Sequence, residues 1–352
     1  MTTKERITRI INHKEADRVP IRDYPWEGTI KRWEREGILA GTDYRDYFDI
    51  DKVERIEANI SPRYPKRVIE ETDTYEIITT EWGVTIKYLK QVDASPEFLD
   101  FKINDSAIWQ DAKKLMTMDE SRLDLPMLER EYPKWVADGR WIEGGFWFGF
   151  DVAHAWMSGT ETILIALMEE PEWVSDIINT YLDRSIQQFD MLWDKGFRID
   201  SMHWYDDLGY KGTPFFSNDT YRDIIKPAHT RAVSWAHNKG IPAHLHSCGY
   251  IMPLLPDILE TGVDILNPIE IKAGMDVLAL KKDYGDRLTL HGGINAVLWD
   301  DKDAVIAEIE RCIPTLKQGG GYIFASDHSI PNNVSLETMR AVVEAVKRTG
   351  AY

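Results

Sequence analysis

The sequence is short of cysteine, with two in 352 residues, Cys248 and Cys312. Such sparse usage suits a reducing compartment better than a stapled secreted fold. Long apolar runs are missing too: TILIALM, Thr162 to Met168, is among the longest and falls far short of a membrane span. The opening MTTKERITRIINHKEADRVP alternates charge with isoleucine and has no signal-peptide core. A soluble, cytoplasmic protein is expected, with no membrane partner. Basic residues are outnumbered, 42 Lys and Arg against 59 Asp and Glu, for a net charge of −17. Nucleic acid requires a basic face, so it is not an expected partner either. There is no P-loop, and the clusters Gly144-Gly145, Gly292-Gly293 and Gly319 to Gly321 do not follow GxGxxG. Nucleotide chemistry is not indicated.

What the chain does carry is a rhythm. Eight short β-like runs start at Val19 (VPIRDY), Val53 (VERIEANI), Arg140 (RWIEGGFWF), Ile199 (IDSMHWYDD), Ile241 (IPAHLHSC), Val263 (VDILNPIE), Arg287 (RLTLHGGI) and Gly321 (GYIFASDH). Helical patterns with apolar residues three and four apart lie between most of them, as over 172–193, 218–238, 301–316 and 335–346. This predicts an α/β fold, a (β/α)8 TIM barrel formed by residues 1–352 as a single domain. The exception is an insertion at about 64–135, between the second and third strands. There TYEIITTEWGVTIKYLK, Thr74 to Lys90, alternates like a β-hairpin turning near Trp82-Gly83. It is read as a lid, or as a plain cover for one barrel end.

Barrel enzymes keep their chemistry at the C-terminal ends of the strands. Here those ends carry Glu143 before Phe146, Trp147 and Phe148; then His203, Trp204, Tyr205, Asp206 and Asp207; then His244, His246 and Cys248. Asn267 and Glu270, His291, and Asp327 with His328 end the last three. Turn chemistry accounts for an Asp or Asn at such places, but not for so many His, Cys and Glu. On a strand, residues two apart face one side, so His246 and Cys248 can share one ion. Imidazole and thiolate together favour Zn2+ over Mg2+ or Ca2+. Zinc needs further ligands, and Glu270, His291, Asp327 and His328 are the candidates. The alternative is a catalytic or core histidine beside a buried cysteine. Asp206 and Asp207 are adjacent and cannot both point inward; one is expected to act as acid, base or substrate ligand, the other to cap the turn. Cys312 reads as a packing residue, and His13, His229 and His237 as surface or partly buried helix residues.

HSCGYIMPLLPDILETGVDILNPIEIKAGMD, LKKDYGDRLTLHGGI and GGYIFASDHSIPNNVSLE, with TKERITRIINHKEADRVP and EWGV, resemble the uroporphyrinogen decarboxylase superfamily almost end to end. The resemblance implies the same barrel fold. True decarboxylases of that superfamily carry an arginine-rich clamp near the N-terminus for the tetrapyrrole carboxylates. Here the matching stretch, VPIRDYPWEGTIKRWE, offers only Arg22 near the strand end.

The corrinoid-dependent methyltransferase branch is the closer likeness. Its methylcobamide:thiol members bind zinc with H-x-C and a distant Cys. His246 and Cys248 match, whereas Ser326, Asp327 and His328 stand near the place of the distant Cys. Ether-demethylating members are similar through Glu270 and His291, while the upstream glutamate of that set would fall near Leu255.

The resemblance therefore implies methyl transfer between a small substrate, such as a methoxyaromatic, and a cobalamin. Zinc would act as Lewis acid, Asp206 or Asp207 would orient the substrate, and O-demethylation is one form of the reaction. Glu143, Trp147, Phe148, Trp204, Tyr205 and Asn267 are the substrate-binding candidates. No D-x-H-x-x-G cobalamin motif occurs, so the corrinoid is expected on a partner protein. The alternatives are a tetrapyrrole decarboxylase working through Asp206 or Asp207, and a non-catalytic tetrapyrrole- or corrinoid-binding barrel.

Overall fold

The computed structural model describes residues 1–57, 59–90 and 95–352. Ala58, inside the expected VERIEANI run, lies outside the described residues. The described strands are β1 Val53–Glu57, β2 Arg67–Glu71, β3 Tyr75–Thr79, β4 Val84–Leu89, β5 Glu97–Phe101, β6 Trp141–Phe146, β7 Ser201–Tyr205, β8 Gly209–Tyr210, β9 Thr213–Pro214, β10 Ala243–His246, β11 Ile265–Asn267, β12 Thr289–His291 and β13 Tyr322–Ile323. Seven of them form one parallel sheet in the order β1-β6-β7-β10-β11-β12-β13. The architecture is TIM-barrel-like.

The expected first strand, from Val19, is not a continuous strand. It bridges β13's extension at single points, Ile21 to Phe324 and Pro25 to Ile330. The reason is local. Pro20 has no N–H for a ladder, and the Ile21 N–H is taken by the Asp51 carboxylate at 2.8 Å. The segment still closes the ring: the Arg22 N–H donates to Phe324 O at 2.9 Å, and the Asp51 N–H to Ile21 O at 3.2 Å.

Helices pack outside the sheet because their apolar residues recur on one face. Helix Pro171–Asp194 begins with proline at its first position, where no N–H is needed. Asp301 and Ser335 cap helices Lys302–Leu316 and Leu336–Thr349 by accepting from backbone N–H groups two or three residues on. The helix expected over 218–238 is interrupted: a π-helical stretch, Tyr221–Ile225, precedes the regular helix Lys226–Asn238. Pro227 explains it, since proline removes one i→i−4 bond and its ring displaces the preceding turn.

Between β1 and β6 the chain forms an antiparallel sheet in the order β2-β3-β4-β5. The β3–β4 connection passes through Trp82-Gly83, and Val84 and Ile86 are buried. Trp82 packs on Tyr181 and Trp147 with centroids 5.5 and 6.2 Å apart, which seats this sheet on the helix and loop that follow β6. No described helix is long and apolar enough to cross a membrane.

Asp51 ties the N-terminal quarter to the sheet. Buried, it accepts from Arg6 Nη1 at 2.5 Å, Arg18 Nη1 at 2.7 Å and the Ile21 N–H. Removing a buried carboxylate strands the groups it held, at a cost of roughly 3–5 kcal/mol. Asp51→Ala is therefore expected to lower unfolding free energy by about that amount in urea titrations; a loss under about 1 kcal/mol would show that Arg6 and Arg18 find water instead.

Candidate active site

Parallel pairing sets which side chains enter the barrel. His203 lies opposite His244, and Tyr205 opposite His246; His246 in turn lies opposite Asn267. Because side chains alternate faces, two inward layers result. The lower holds Glu143, His203, His244 and His291; the upper holds Tyr205, His246 and Asn267. The alternate positions, Met202, Trp204 and Leu245, turn outward and are fully buried.

The lower layer is a charged network shut away from water. Glu143 accepts from Arg22 Nη2 at 2.6 Å and lies 3.2 Å from His244 Nδ1. His291 lies 3.4 Å from His244 Nε2, and its own Nε2 meets Arg22 O at 3.1 Å. Burial opposes the Glu143 charge, but Arg22 and the two facing histidines outweigh it and hold its pKa well below the ordinary carboxylate range. Burial keeps His203 and His291 neutral, and lowers His244 to about 4.

Above this layer opens a cavity of about 280 Å³, reached by Arg22, Tyr24, Tyr205, Asp207, His246, Cys248, Asn267 and His328, among others. Asp207, His246 and Cys248 each bring one ligand atom to within 4.8 Å of the others. His246 Nε2 is 3.3 Å from Cys248 Sγ and 3.7 Å from Asp207 Oδ1. The Asn267 amide donates to His291 O at 3.0 Å, which aims its oxygen at His246 Nδ1, 2.5 Å away. His246 therefore carries its proton on Nδ1 and turns the Nε2 lone pair toward Cys248 and Asp207. This is how metal-bound histidines are oriented. Burial, then the charges of Asp207 and Glu270, push the Cys248 thiol well above its usual pKa. A dication between these groups would reverse that penalty, so the donor set fits a metal such as Zn2+.

The other candidate ligands lie outside this three-residue group. Glu270 accepts from the Gly249 N–H at 2.6 Å and pairs with Lys272. Asp327 accepts from the Ile271 and Ala296 N–H groups at 2.8 and 2.7 Å. His291 belongs to the lower layer, and His328 lines the cavity beside Trp26. The two aspartates separate as alternation requires. Asp207 enters the cavity. Asp206 is buried behind it, accepting from His229 Nε2 and from the Asp151 N–H, each at 2.8 Å.

His229, expected at or near the surface, is fully buried and also bonds Tyr221; the Asp206 carboxylate gives it a partner inside. Phe148 and Trp204 stack on each other in the core, 5.7 Å apart, and Trp147 packs on Trp82 and Trp156. Of the expected aromatics, Tyr205 alone lines the cavity. The strand period could have told Trp204 from Tyr205. Arg55, Asp23 and Tyr24 went unpredicted. Arg55 had one signal, a cation in mid-strand on the inward register.

Backbones are as closely fitted as side chains. A Cβ on Gly249, whose φ is +81°, would lie 2.1 Å from the Gly209 carbonyl carbon, so the turn after β10 rests directly on the turn after β7.

A parallel barrel with a histidine-, cysteine- and aspartate-lined mouth is an enzyme-like architecture. The family model for uroporphyrinogen decarboxylase (URO-D) matches residues 145–349, and the chain belongs to that family. Among solved structures, a methyltransferase from Methanosarcina mazei superposes with a TM-score of 0.66 at 16% identity, covering 99% of each chain. A 7,8-dihydropteroate synthase from Vibrio fischeri ES114 matches at a TM-score of 0.26 and 12% identity, over 64% of this chain and 87% of that one. The first likeness is one of fold; the second carries no weight. No curated protein matches the chain.

The neutral buried histidines make stability depend on acid. His244 titrates near 4 folded and near 6.5 unfolded, so over that window the unfolded chain binds the extra proton. Stability is full above about pH 6.5 and falls as pH drops, by up to about 1.4 kcal/mol per unit for one such group. Urea titrations from pH 7 to 5 are expected to show this slope, and His244→Asn to flatten it. An unchanged slope in the variant would place the acid sensitivity elsewhere.

Proposed function

We propose that this protein is a methyltransferase that moves a methyl group between a small substrate, methoxyaromatics included, and a corrinoid carried by a partner protein. The convergence of Asp207, His246 and Cys248 at the cavity carries the reading. These three would hold Zn2+, which when bound supplies Lewis acidity to the oxygen or other heteroatom that parts from the methyl group. The site thus takes a carboxylate, rather than a second thiolate, beside the H-x-C pair.

The chain's own residues prepare that site. Asn267 fixes the His246 tautomer. Asp207 and Cys248 contribute the negative charge a dication needs, Cys248 after losing its proton. Asp206, anchored by His229, holds the strand end from which Asp207 projects. The layer of Glu143, His203, His244 and His291 closes the cavity floor against water, so electrostatic contacts above it are weakly screened. A cavity of about 280 Å³ suits a small substrate.

Two measurements test this. Purified protein is expected to hold one zinc per chain by elemental analysis, with zinc affinity lowered at least tenfold, about that or more, in Cys248→Ala, His246→Ala and Asp207→Ala; Asn267→Ala is expected to cost roughly 10–100-fold while leaving every ligand in place. Methyl transfer to an added corrinoid protein is expected from at least one methoxyarene, methylamine or methylthiol. Zinc-free wild-type protein with no transfer from any of these donors would overturn the proposal.

A further inference from the structure

The lower layer holds more bases than its protons can serve. Glu143, His203 and His244 are buried, and each offers one ligand atom within 4.8 Å of the others. His203 Nδ1 lies 3.7 Å from Glu143 Oε1 and, among the described residues, has no hydrogen-bond partner. His244 Nδ1 lies 3.2 Å from Glu143 Oε2, while its Nε2 lies 3.4 Å from His291 Nδ1. The Arg22 carbonyl can only accept, so the His291 proton sits on Nε2 and its Nδ1 is bare. The single proton of a neutral His244 then serves either His291 or Glu143, not both. Sent to His291, it leaves a bare Nδ1 against the carboxylate. A bare nitrogen and an anionic oxygen buried in contact repel unless a cation lies between them.

The donor set suits a metal ion in that place. Imidazole and carboxylate are ligands of first-row divalent ions, and three protein ligands are the number an open zinc site uses. Arg22 holds Glu143 through Oε1 at 2.6 Å, while Oε2 meets the Ser201 hydroxyl at 3.3 Å and His244. Entry is through the cavity, which His203 and His244 both line. The Arg22 charge opposes a dication, but Glu143 is paired with it, and Asp23 and Asp207 line the same cavity. Such a site is the weaker of the two and fills after the one at Asp207, His246 and Cys248.

We propose that Glu143, His203 and His244 form a second metal site beneath the first. It takes a divalent transition ion such as Zn2+ or Co2+ with nitrogen and oxygen ligands only. An ion there braces the cavity floor: the His203 ring centroid lies 4.6 Å from that of Tyr205 and 6.2 Å from that of His246. The proposal concerns binding alone and does not rest on the methyl-transfer reading.

Cobalt titration of the metal-free full-length protein tests it. The first equivalent of Co2+ is expected to bring a thiolate-to-cobalt charge-transfer band, from Cys248. A second equivalent, counted by equilibrium dialysis and elemental analysis, is expected to bind without adding to that band and to raise the melting temperature further. The double variant Cys248→Ala/His246→Ala is expected to lose the band yet still bind one ion. His203→Phe, which keeps a ring, and Glu143→Gln, which keeps the shape, are each expected to leave the band and weaken the second equivalent by about tenfold or more. Melting curves show which of them fold, and should neither do so the count in the double variant decides. Wild-type protein that stops at one equivalent, or a double variant that binds none, would overturn the proposal. So would a second equivalent that both folded variants leave unchanged, which would place the ion on the surface. A second equivalent with a charge-transfer band of its own would assign the ion to Cys312 and Glu308 and overturn it too. Loss of the first equivalent alone would strike the methyl-transfer reading and leave this one standing.

Discussion

The ion pair between Arg22 and Glu143 crosses the barrel interior, and most of the site is built on it. Arg22 comes from the segment that closes the ring, Glu143 from β6, and their 2.6 Å contact joins the two with no water between. An unpaired charge of either sign could not remain there. Paired, they anchor a layer in which His244 meets Glu143, His291 meets His244, and the Arg22 carbonyl meets His291. Everything the cavity offers a ligand stands on this layer.

The upper layer gains precision by relay rather than by proximity alone. The His291 carbonyl orients the Asn267 amide, the amide orients the His246 ring, and the ring presents one nitrogen to Cys248 and Asp207. No link is longer than a hydrogen bond to its neighbour.

Much of this was legible in the sequence. The strand rhythm located every parallel strand of the sheet, and the clustering of His, Cys and Asp at their ends located the mouth. Alternation foretold that Asp206 and Asp207 would part. What escaped were features that depend on long-range closure. Asp207 sits forty-one residues from Cys248 in sequence, and the two meet only because β7 lies beside β10. Glu270 and Asp327 accept from backbone N–H groups here, and composition does not tell a carboxylate that serves a turn from one that serves an ion. His229 looked like a helix-face residue because its partner, Asp206, lies on another element. The Val19 segment had strand composition, yet Pro20 and the claim of Asp51 on Ile21 broke its ladder.

The contact of Gly249 with Gly209 has a consequence for how this protein can vary. The two turns touch backbone to backbone, with no space for even a methyl group between them. Neither can lengthen or take on a side chain unless the other retreats at the same time. Among relatives, the loops after β7 and β10 should therefore diversify as a linked pair, while loops elsewhere on the rim change one by one.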